Sequence, residues 1–342
     1  MRGGYIPEVE VAYFRDDLPE PQIEKSDDVK IQVHACGICG SEVHAYLGVH
    51  PFRIPPLVSG HEVAGIVVEV GENVKNVKVG ERVCVEPQYG CGECWYCKHG
   101  LYNLCTSKKV LGSGGWSGGL GEYIVTPERT VVALPDSLIF EQGALIETVA
   151  NGMYAVRHTD IGSETNIVVI GTGPIGVGDY LCAKLYNPNK IIMVDISDFN
   201  LQKVREMGCE YTINSKNGDL HQRVMELTDG VGADVTILAY GDEPTLVQAC
   251  DITRRGGTIV QHALMRDGLA FPYRVHQLHE LEFKAYNMYR REDFELVCKA
   301  VDEGRMDLTK MVTQRYPIEE FKEAMYMAHK RPEPVLKVMM EF

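Results

Sequence analysis

Four cysteines fall within fifteen residues, Cys91, Cys94, Cys97 and Cys105 in GCGECWYCKHGLYNLC, spaced C-x2-C-x2-C-x7-C. That spacing can turn four thiolates inward on one tetrahedral ion, and zinc suits the ligand type. Gly90, Gly92 and Gly100 supply the tight backbone a chelating knuckle needs, while continuous apolar packing is missing. The segment is therefore expected to fold around a metal, with binding free energy serving as folding free energy. All four ligands come from protein, which leaves no open position for a substrate and makes this zinc structural. The other cysteines bring the total to eleven. An odd total and a start, MRGGYIPEVEVAYF, without a signal-peptide pattern argue against a disulfide framework and for a cytoplasmic, unprocessed protein.

The 342 residues exceed one ordinary core and suit two domains. Apolar residues at 45% and charged residues at 24% match a soluble globular enzyme. The formal charge of -14 opposes nucleic-acid binding, and no apolar run approaches the length that spans a bilayer. Up to about residue 150 the text alternates β-branched residues with Gly and Pro punctuation, as in VKIQVHACGICG and EVAGIVVEVG, which predicts a mainly antiparallel, loop-rich β lobe. A helix is expected over 140–157. Beyond it the short apolar runs NIVVIG, KIIMVDIS, YTIN, DVTILAY and GTIVQHAL alternate with helical stretches, the pattern of a doubly wound parallel sheet. From about Arg290 an amphipathic helix, a second helix ending near Lys330 and a terminal strand are expected to return to the first lobe. The expected boundaries are 1–150 with 289–342 for the catalytic lobe and 151–288 for the cofactor lobe, an α/β protein overall.

GTGPIG, Gly171 to Gly176, follows the strand NIVVI and opens a helical stretch. Gly171 would make the turn, Gly173 would let the backbone approach a pyrophosphate, and Gly176 would permit close helix–strand packing, with Pro174 and Ile175 completing the cofactor contact. The next strand ends at Asp195, 24 residues beyond Gly171. A carboxylate there accepts hydrogen bonds from a ribose and repels a 2′-phosphate, so NAD is favoured over NADP.

Cys39 in CGICGSEVH, the pair His61-Glu62 in SGHEVAG, and Glu147 in GALIETVANG are dispersed along the chain. A thiolate, an imidazole and carboxylates form the kind of mixed set that holds catalytic zinc with one coordination position open. Each also has an ordinary structural role available, as a buried thiol, a turn histidine, a strand-edge charge or an exposed helix residue. Glu147 stands out because Leu145, Ile146, Val149 and Ala150 surround it with apolar side chains, where a lone carboxylate is costly.

Taken in order and spacing, CGICGSEVH, GHEVAGIVVEVGENVKNVKVGERV, the four-cysteine lobe, GALIETVANG, GTGPIG and the Asp195 strand end resemble the zinc-containing medium-chain dehydrogenases over essentially the whole chain, with the polyol (sorbitol) dehydrogenase branch closest. The resemblance implies a GroES-like catalytic domain beside a Rossmann domain, with the active cleft between the lobes, two zinc ions per chain and NAD. It implies a catalytic zinc held by Cys39, His61 and Glu62 with Glu147 near it, directly or through water. Classical alcohol dehydrogenases have a cysteine where Glu147 stands, which favours the polyol branch, or the similar threonine and butanediol enzymes, over ethanol oxidation. A secondary alcohol would become a ketone, Ser41 would relay the proton and His44 would act as outer base. Cys36 receives no role.

Departures from the family pattern are Asn200, where many relatives place an arginine near adenine, and His262-Ala263 near the expected nicotinamide edge, where His262 either alters the pocket or fills the core. Substrate-facing residues are expected among Tyr46, His50, Phe52, Arg53 and Trp116. As in similar proteins, a homodimer or homotetramer built through the cofactor domains is expected. The same chemistry on threonine or 2,3-butanediol is an enzymatic alternative. A noncatalytic zinc-ribbon interaction protein that senses NAD is the alternative from another class.

Overall fold

In the computed structural model, which describes residues 1–342, the β-branched first part of the chain pairs as nine strands. They are β1 (Gly3–Glu8), β2 (Val11–Arg15), β3 (Asp28–Ile38), β4 (Glu62–Val70), β5 (Arg82–Val85), β6 (Gln88–Tyr89), β7 (Lys109–Val110), β8 (Tyr123–Pro127) and β9 (Val131–Ala133). Helices α1 (Gly40–Tyr46) and α2 (Trp95–Lys98) interrupt them. Helix α3 (Phe140–Arg157) follows over the span its sequence predicts, and Leu145, Ile146, Val149, Ala150 and Val156 in it are fully buried, as suits a helix apolar on every side.

Strands and helices then alternate: β10 (Asn166–Ile170), α4 (Pro174–Lys184), β11 (Lys190–Asp195), α5 (Asp198–Glu206), β12 (Tyr211–Asn214), α6 (Leu220–Leu227), β13 (Ala233–Leu238), α7 (Glu243–Ile252), β14 (Thr253–Gln261), α8 (Tyr273–Leu278) and β15 (Glu282–Ala285). The chain ends with α9 (Arg291–Asp302), β16 (Val312–Pro317), α10 (Phe321–Lys330) and β17 (Lys337–Glu341).

The first compact unit comprises Met1–Glu147, Arg290–Gly304 and Met311–Phe342. Its seven-stranded sheet runs β16-β17-β3-β4-β5-β9, with β8 also paired to β3. All of its pairings are antiparallel except that of β16 with β17. The core takes alternate residues of β3 (Val29, Ile31, Val33) together with Val63 and Val67, and α10 closes over it with Phe321, Ala324 and Met325, spaced three and four apart.

The second unit comprises Thr148–Tyr289 with Arg305–Lys310. Its six strands run β12-β11-β10-β13-β14-β15, all parallel. This is the 3-2-1-4-5-6 order of the Rossmann fold, and the central residues Ile167, Val168, Val169, Ile192 and Met193 are fully buried, as strands covered on both faces require. Residues 148–150, 289 and 305–310 fall in this unit rather than with the expected catalytic lobe, and Lys310 Nζ donates to the Glu206 backbone oxygen at 2.6 Å. No helix is long and apolar enough to cross a membrane.

Candidate active site, metal centre and cofactor cradle

Strand β3 lies between β4 and β17, with Gly37 opposite Glu62 and Ile38 opposite Val338. That register sets the residue after β3, Cys39, near the starts of β4 and β17, where His61, Glu62 and Lys337 stand. Glu147 arrives on α3. Ligand atoms of Cys39, Glu42 and His61 lie within 4.8 Å of one another, as do those of His61, Glu62 and Glu147. His61 thus joins two overlapping clusters, with its Nε2 3.9 Å from Glu147 Oε2. Gly37 makes the close approach possible, because a Cβ there would fall 1.8 Å from Glu62 Oε2.

Two residues outside the expected set organise this cluster. Glu42, fully buried, accepts hydrogen bonds from the Cys39 N–H at 3.0 Å and the Ser59 hydroxyl at 3.0 Å, and its Oε1 lies 2.9 Å from His61 Nδ1 and 3.5 Å from Arg53 Nη1. Burial acts to raise the Glu42 pKa, but the charges of His61 and Arg53 and the hydrogen bonds from His61 and Ser59 hold the carboxyl well below the usual range. Burial, the largest single influence, acts to lower the His61 pKa, and so does the charge of Arg53, but the charges of Glu42 and Glu147 and the hydrogen bond with Cys39 together outweigh them, so the imidazole stands well above its ordinary value. In the neutral ring that a metal would require, Nδ1–H donated to Glu42 would leave the lone pair on Nε2. Lys337, also buried, donates to both Glu62 oxygens at 2.5 and 2.8 Å. In sequence, Glu42 reads as an ordinary helix-capping acid three residues after Cys39. Lys337 reads as the polar start of a strand. Neither carries a signal until the sheet register is known.

Thiolate, imidazole and carboxylate donors of this kind fit a catalytic zinc. The four-cysteine lobe fits a second ion on its own geometry. Cys91 Sγ lies 4.0 Å from Cys97 Sγ, and Cys94 Sγ lies 3.7 Å from Cys105 Sγ. These are free thiols, and the spacings match the edge of about 3.8 Å of a tetrahedron with Zn–S bonds of about 2.3 Å. Backbone N–H groups point at the sulfurs, and those of Glu93 and Cys94 push the Cys91 thiol down to about 6.

In the second unit the glycine turn has the shape its motif demands. Gly171 has φ +99°, and a Cβ on Gly176 would fall 1.8 Å from the Gly171 oxygen. A Cβ on Gly173 would meet nothing within 4 Å, so the backbone that caps α4, next to Pro174 and Ile175, is open to a ligand. Asp195 Oδ2 accepts from the Thr172 N–H at 2.6 Å and Oδ1 from the Ser197 N–H at 2.8 Å, while Asn200 Nδ2 is 3.5 Å from Oδ2. The half-buried carboxylate retains lone pairs for further donors. These contacts tie the glycine turn to the end of β11.

Ser41 is half-buried on α1 with its hydroxyl 3.4 Å from Glu42 Oε2, and His44 is exposed three residues on, along the same helix face. The five residues expected to face substrate have distinct surroundings. Phe52 is half-exposed beside His50, whose Nδ1 accepts from the Arg53 N–H at 3.0 Å and whose pKa burial pushes down to about 4. Arg53 itself is buried, its Nη1 donating to the Leu111 and Gly112 carbonyls at 2.8 and 2.9 Å. Its Nη1 is thus engaged by two backbone carbonyls of the protein. Trp116 donates from Nε1 to the Val125 oxygen at 2.8 Å, and Tyr46 packs on His329 and the sheet core.

Residues 25–136 match the alcohol dehydrogenase GroES-like domain family, and residues 174–303 match the zinc-binding dehydrogenase family. The chain is 33% identical to L-idonate 5-dehydrogenase of Vitis vinifera over 296 residues, covering 84% of this chain and 81% of the relative. It is 32% identical to sorbitol dehydrogenase of Bacillus subtilis over 329 residues, covering 95% and 92%. The solved structure of 2R,3R-butanediol dehydrogenase from Bacillus subtilis superposes with a TM-score of 0.90 at 31% identity, covering 100% of this chain and 99% of that one.

Proposed function

The chain belongs to the zinc-containing medium-chain dehydrogenases, polyol branch, and from that premise we propose that it oxidises a secondary alcohol of a polyol, cyclitol or sugar alcohol to a ketone with NAD. The observation that carries this reading is the pair of overlapping clusters that share His61, with Cys39 and Glu42 on one side and Glu62 and the α3 carboxylate Glu147 on the other. Zinc on Cys39, His61, Glu62 and Glu147 would lower the pKa of a bound alcohol, and the nicotinamide would accept its hydride. Cys91, Cys94, Cys97 and Cys105 would hold a second zinc that ties their lobe together.

The chain's own residues prepare that chemistry. Glu42 holds the Nδ1 proton of His61 and turns Nε2 toward Glu147. Lys337 offsets the charge of Glu62, so three acidic or thiolate donors can share one small volume with less mutual repulsion. Ser41 Oγ, half-buried, would take the alcohol proton and pass it to the exposed imidazole of His44. Asp195 supports NAD over NADP because its carboxylate repels a 2′-phosphate. Phe52 and His50 are the strongest candidates of the expected five to meet substrate. Strand β15 ends the parallel sheet with one unpaired edge, which supports a homodimer or homotetramer formed through that domain.

A vicinal diol is the second substrate class, favoured by the full-length similarity to butanediol dehydrogenase. NADH formation followed with sorbitol, xylitol, idonate, inositols, threonine and 2,3-butanediol, beside a Cys39→Ser control, tests both. Turnover of polyols that vanishes in the control is the expected result. Silence with every alcohol, while cofactor and metal bind, overturns the enzymatic reading.

A further inference from the structure

His262 follows β14, where its backbone N–H donates to Leu238, the last residue of β13, at 3.1 Å. Its ring reaches back to α4, where Nδ1 lies 2.8 Å from Asp179 Oδ1. The His262 side chain is 4% exposed and that of Asp179 0%. The other oxygen of Asp179, Oδ2, is buried with no hydrogen-bond partner, and no lysine or arginine pairs with this carboxylate. A buried carboxylate facing only an imidazole is an incompletely compensated charge, and burial makes that costly. Neither the pyrophosphate cradle nor the ribose carboxylate already described accounts for it.

The dyad's position suggests what offsets that charge. A dinucleotide lies across the carboxyl ends of a doubly wound sheet at the point where strand order reverses, here between β10 and β13. With Asp195 and the adenosine on the β11 side, the other half of such a molecule would extend over β13 and β14, where His262 stands. The glycine turn belongs to the same surface, because Ala239 and Tyr240, just past β13, both donate to the Ile170 oxygen. Asp179 is one helical turn after Ile175 on the same face of α4. It is about 9 Å along the axis from Gly173, within range of a Coulomb interaction through protein.

We propose that the Asp179–His262 dyad is a selectivity element for the redox state of the cofactor. Its buried carboxylate favours the oxidised nicotinamide, a ring cation, over the neutral reduced ring, and His262 fixes the carboxylate in place. The dyad then promotes loading of the oxidised form and release of the reduced one. The proposal rests on the dinucleotide reading of this unit.

The test is equilibrium binding to the whole protein without alcohol, following NADH by its fluorescence and NAD by calorimetry. Asp179→Asn and Asp179→Ser both keep an acceptor oxygen for His262 and remove the charge. In whichever folds, the ratio of the NAD dissociation constant to that of NADH should rise about tenfold, with NADH affinity changed less than twofold. His262→Gln keeps the charge and a donor to it, and should leave the ratio within twofold of wild type. A ratio unchanged in the Asp179 variants while both cofactors bind overturns the proposal, as does a tenfold change in His262→Gln. Wild-type protein that binds neither cofactor overturns the dinucleotide reading and the dyad's role together.

Discussion

Glu42 collects donors from Cys39, Ser59, His61 and Arg53, and Lys337 closes on Glu62, so the groups behind the candidate ligands are as constrained as the ligands themselves. Partners of this kind fix a ligand's tautomer and orientation, and their loss typically costs ten- to a hundredfold in metal affinity. Glu42→Gln is expected to weaken zinc at the Cys39–His61 site by that factor, measured by competition with a chelator of known affinity; unchanged affinity would show that His61 needs no orienting partner. Lys337→Met leaves Glu62 buried without its counter-charge. The expected loss is about 3–5 kcal/mol in urea denaturation. Most of it should return in the double variant Glu62→Gln, Lys337→Met, because the uncompensated charge is then gone.

At the scale of elements, three segments meet at Glu86, just past β5. Tyr102 of the cysteine lobe donates to Glu86 Oε1 at 2.6 Å, and Arg291 of α9 lies 3.9 Å from its other oxygen. Burial raises the Glu86 carboxyl from 4.5 to about 7, against the hydrogen bond from Tyr102 and the charge of Arg291. Between those two values the folded chain binds a proton that the unfolded chain releases. Stability is therefore fullest below pH 4.5 for this group and falls as pH climbs through 7, by about 3 kcal/mol. Glu86→Gln keeps the acceptor for Tyr102 and should remove this part of the slope in urea midpoints taken from pH 5 to pH 8. A wild-type slope retained in the variant would place its origin elsewhere. In the second unit, Gly176→Ala would force a Cβ against the Gly171 oxygen. NADH affinity should fall more than tenfold in a fluorescence titration. Much at this scale is legible in sequence. The apolar runs of β10 to β14, the helix over 140–157 and the cysteine knuckle announce themselves through period, length and ligand spacing. β15 does not, because EFKA is short, polar and largely exposed, and becomes a strand only by pairing with β14. The burial of Arg53 is not legible either, since nothing in the local sequence announces the carbonyls of Leu111 and Gly112 that fold around it.

Over the whole molecule, the two units place different demands on the chain. The second is nearly continuous in sequence, and its parallel sheet needs no metal. The first is assembled from three separated segments and carries both candidate metal sites. Chelation should therefore lower the calorimetric melting temperature of the transition that includes the four-cysteine lobe, while NAD at a hundred times its dissociation constant should stabilise the Rossmann unit by about 2.7 kcal/mol. A thermogram insensitive to both additions would contradict the assignment. The sequence offers the candidate ligands by residue type, but their grouping is implied only by the family resemblance. Cys39, His61 and Glu147 have no periodic relation, and their meeting depends on sheet register and on a helix that arrives late. The contact between Glu62 and Lys337 joins positions 275 residues apart. A loop of that length closes slowly, and nothing local rewards its closure beforehand. In a folding chain the inserted Rossmann segment, rich in nearer contacts, is free to form first, whereas the lysine reaches its glutamate only once β17 has docked beside β3. Metal loading at the candidate catalytic site is then among the last events of maturation, and its rate reports on long-range assembly rather than on the encounter of ion and ligand.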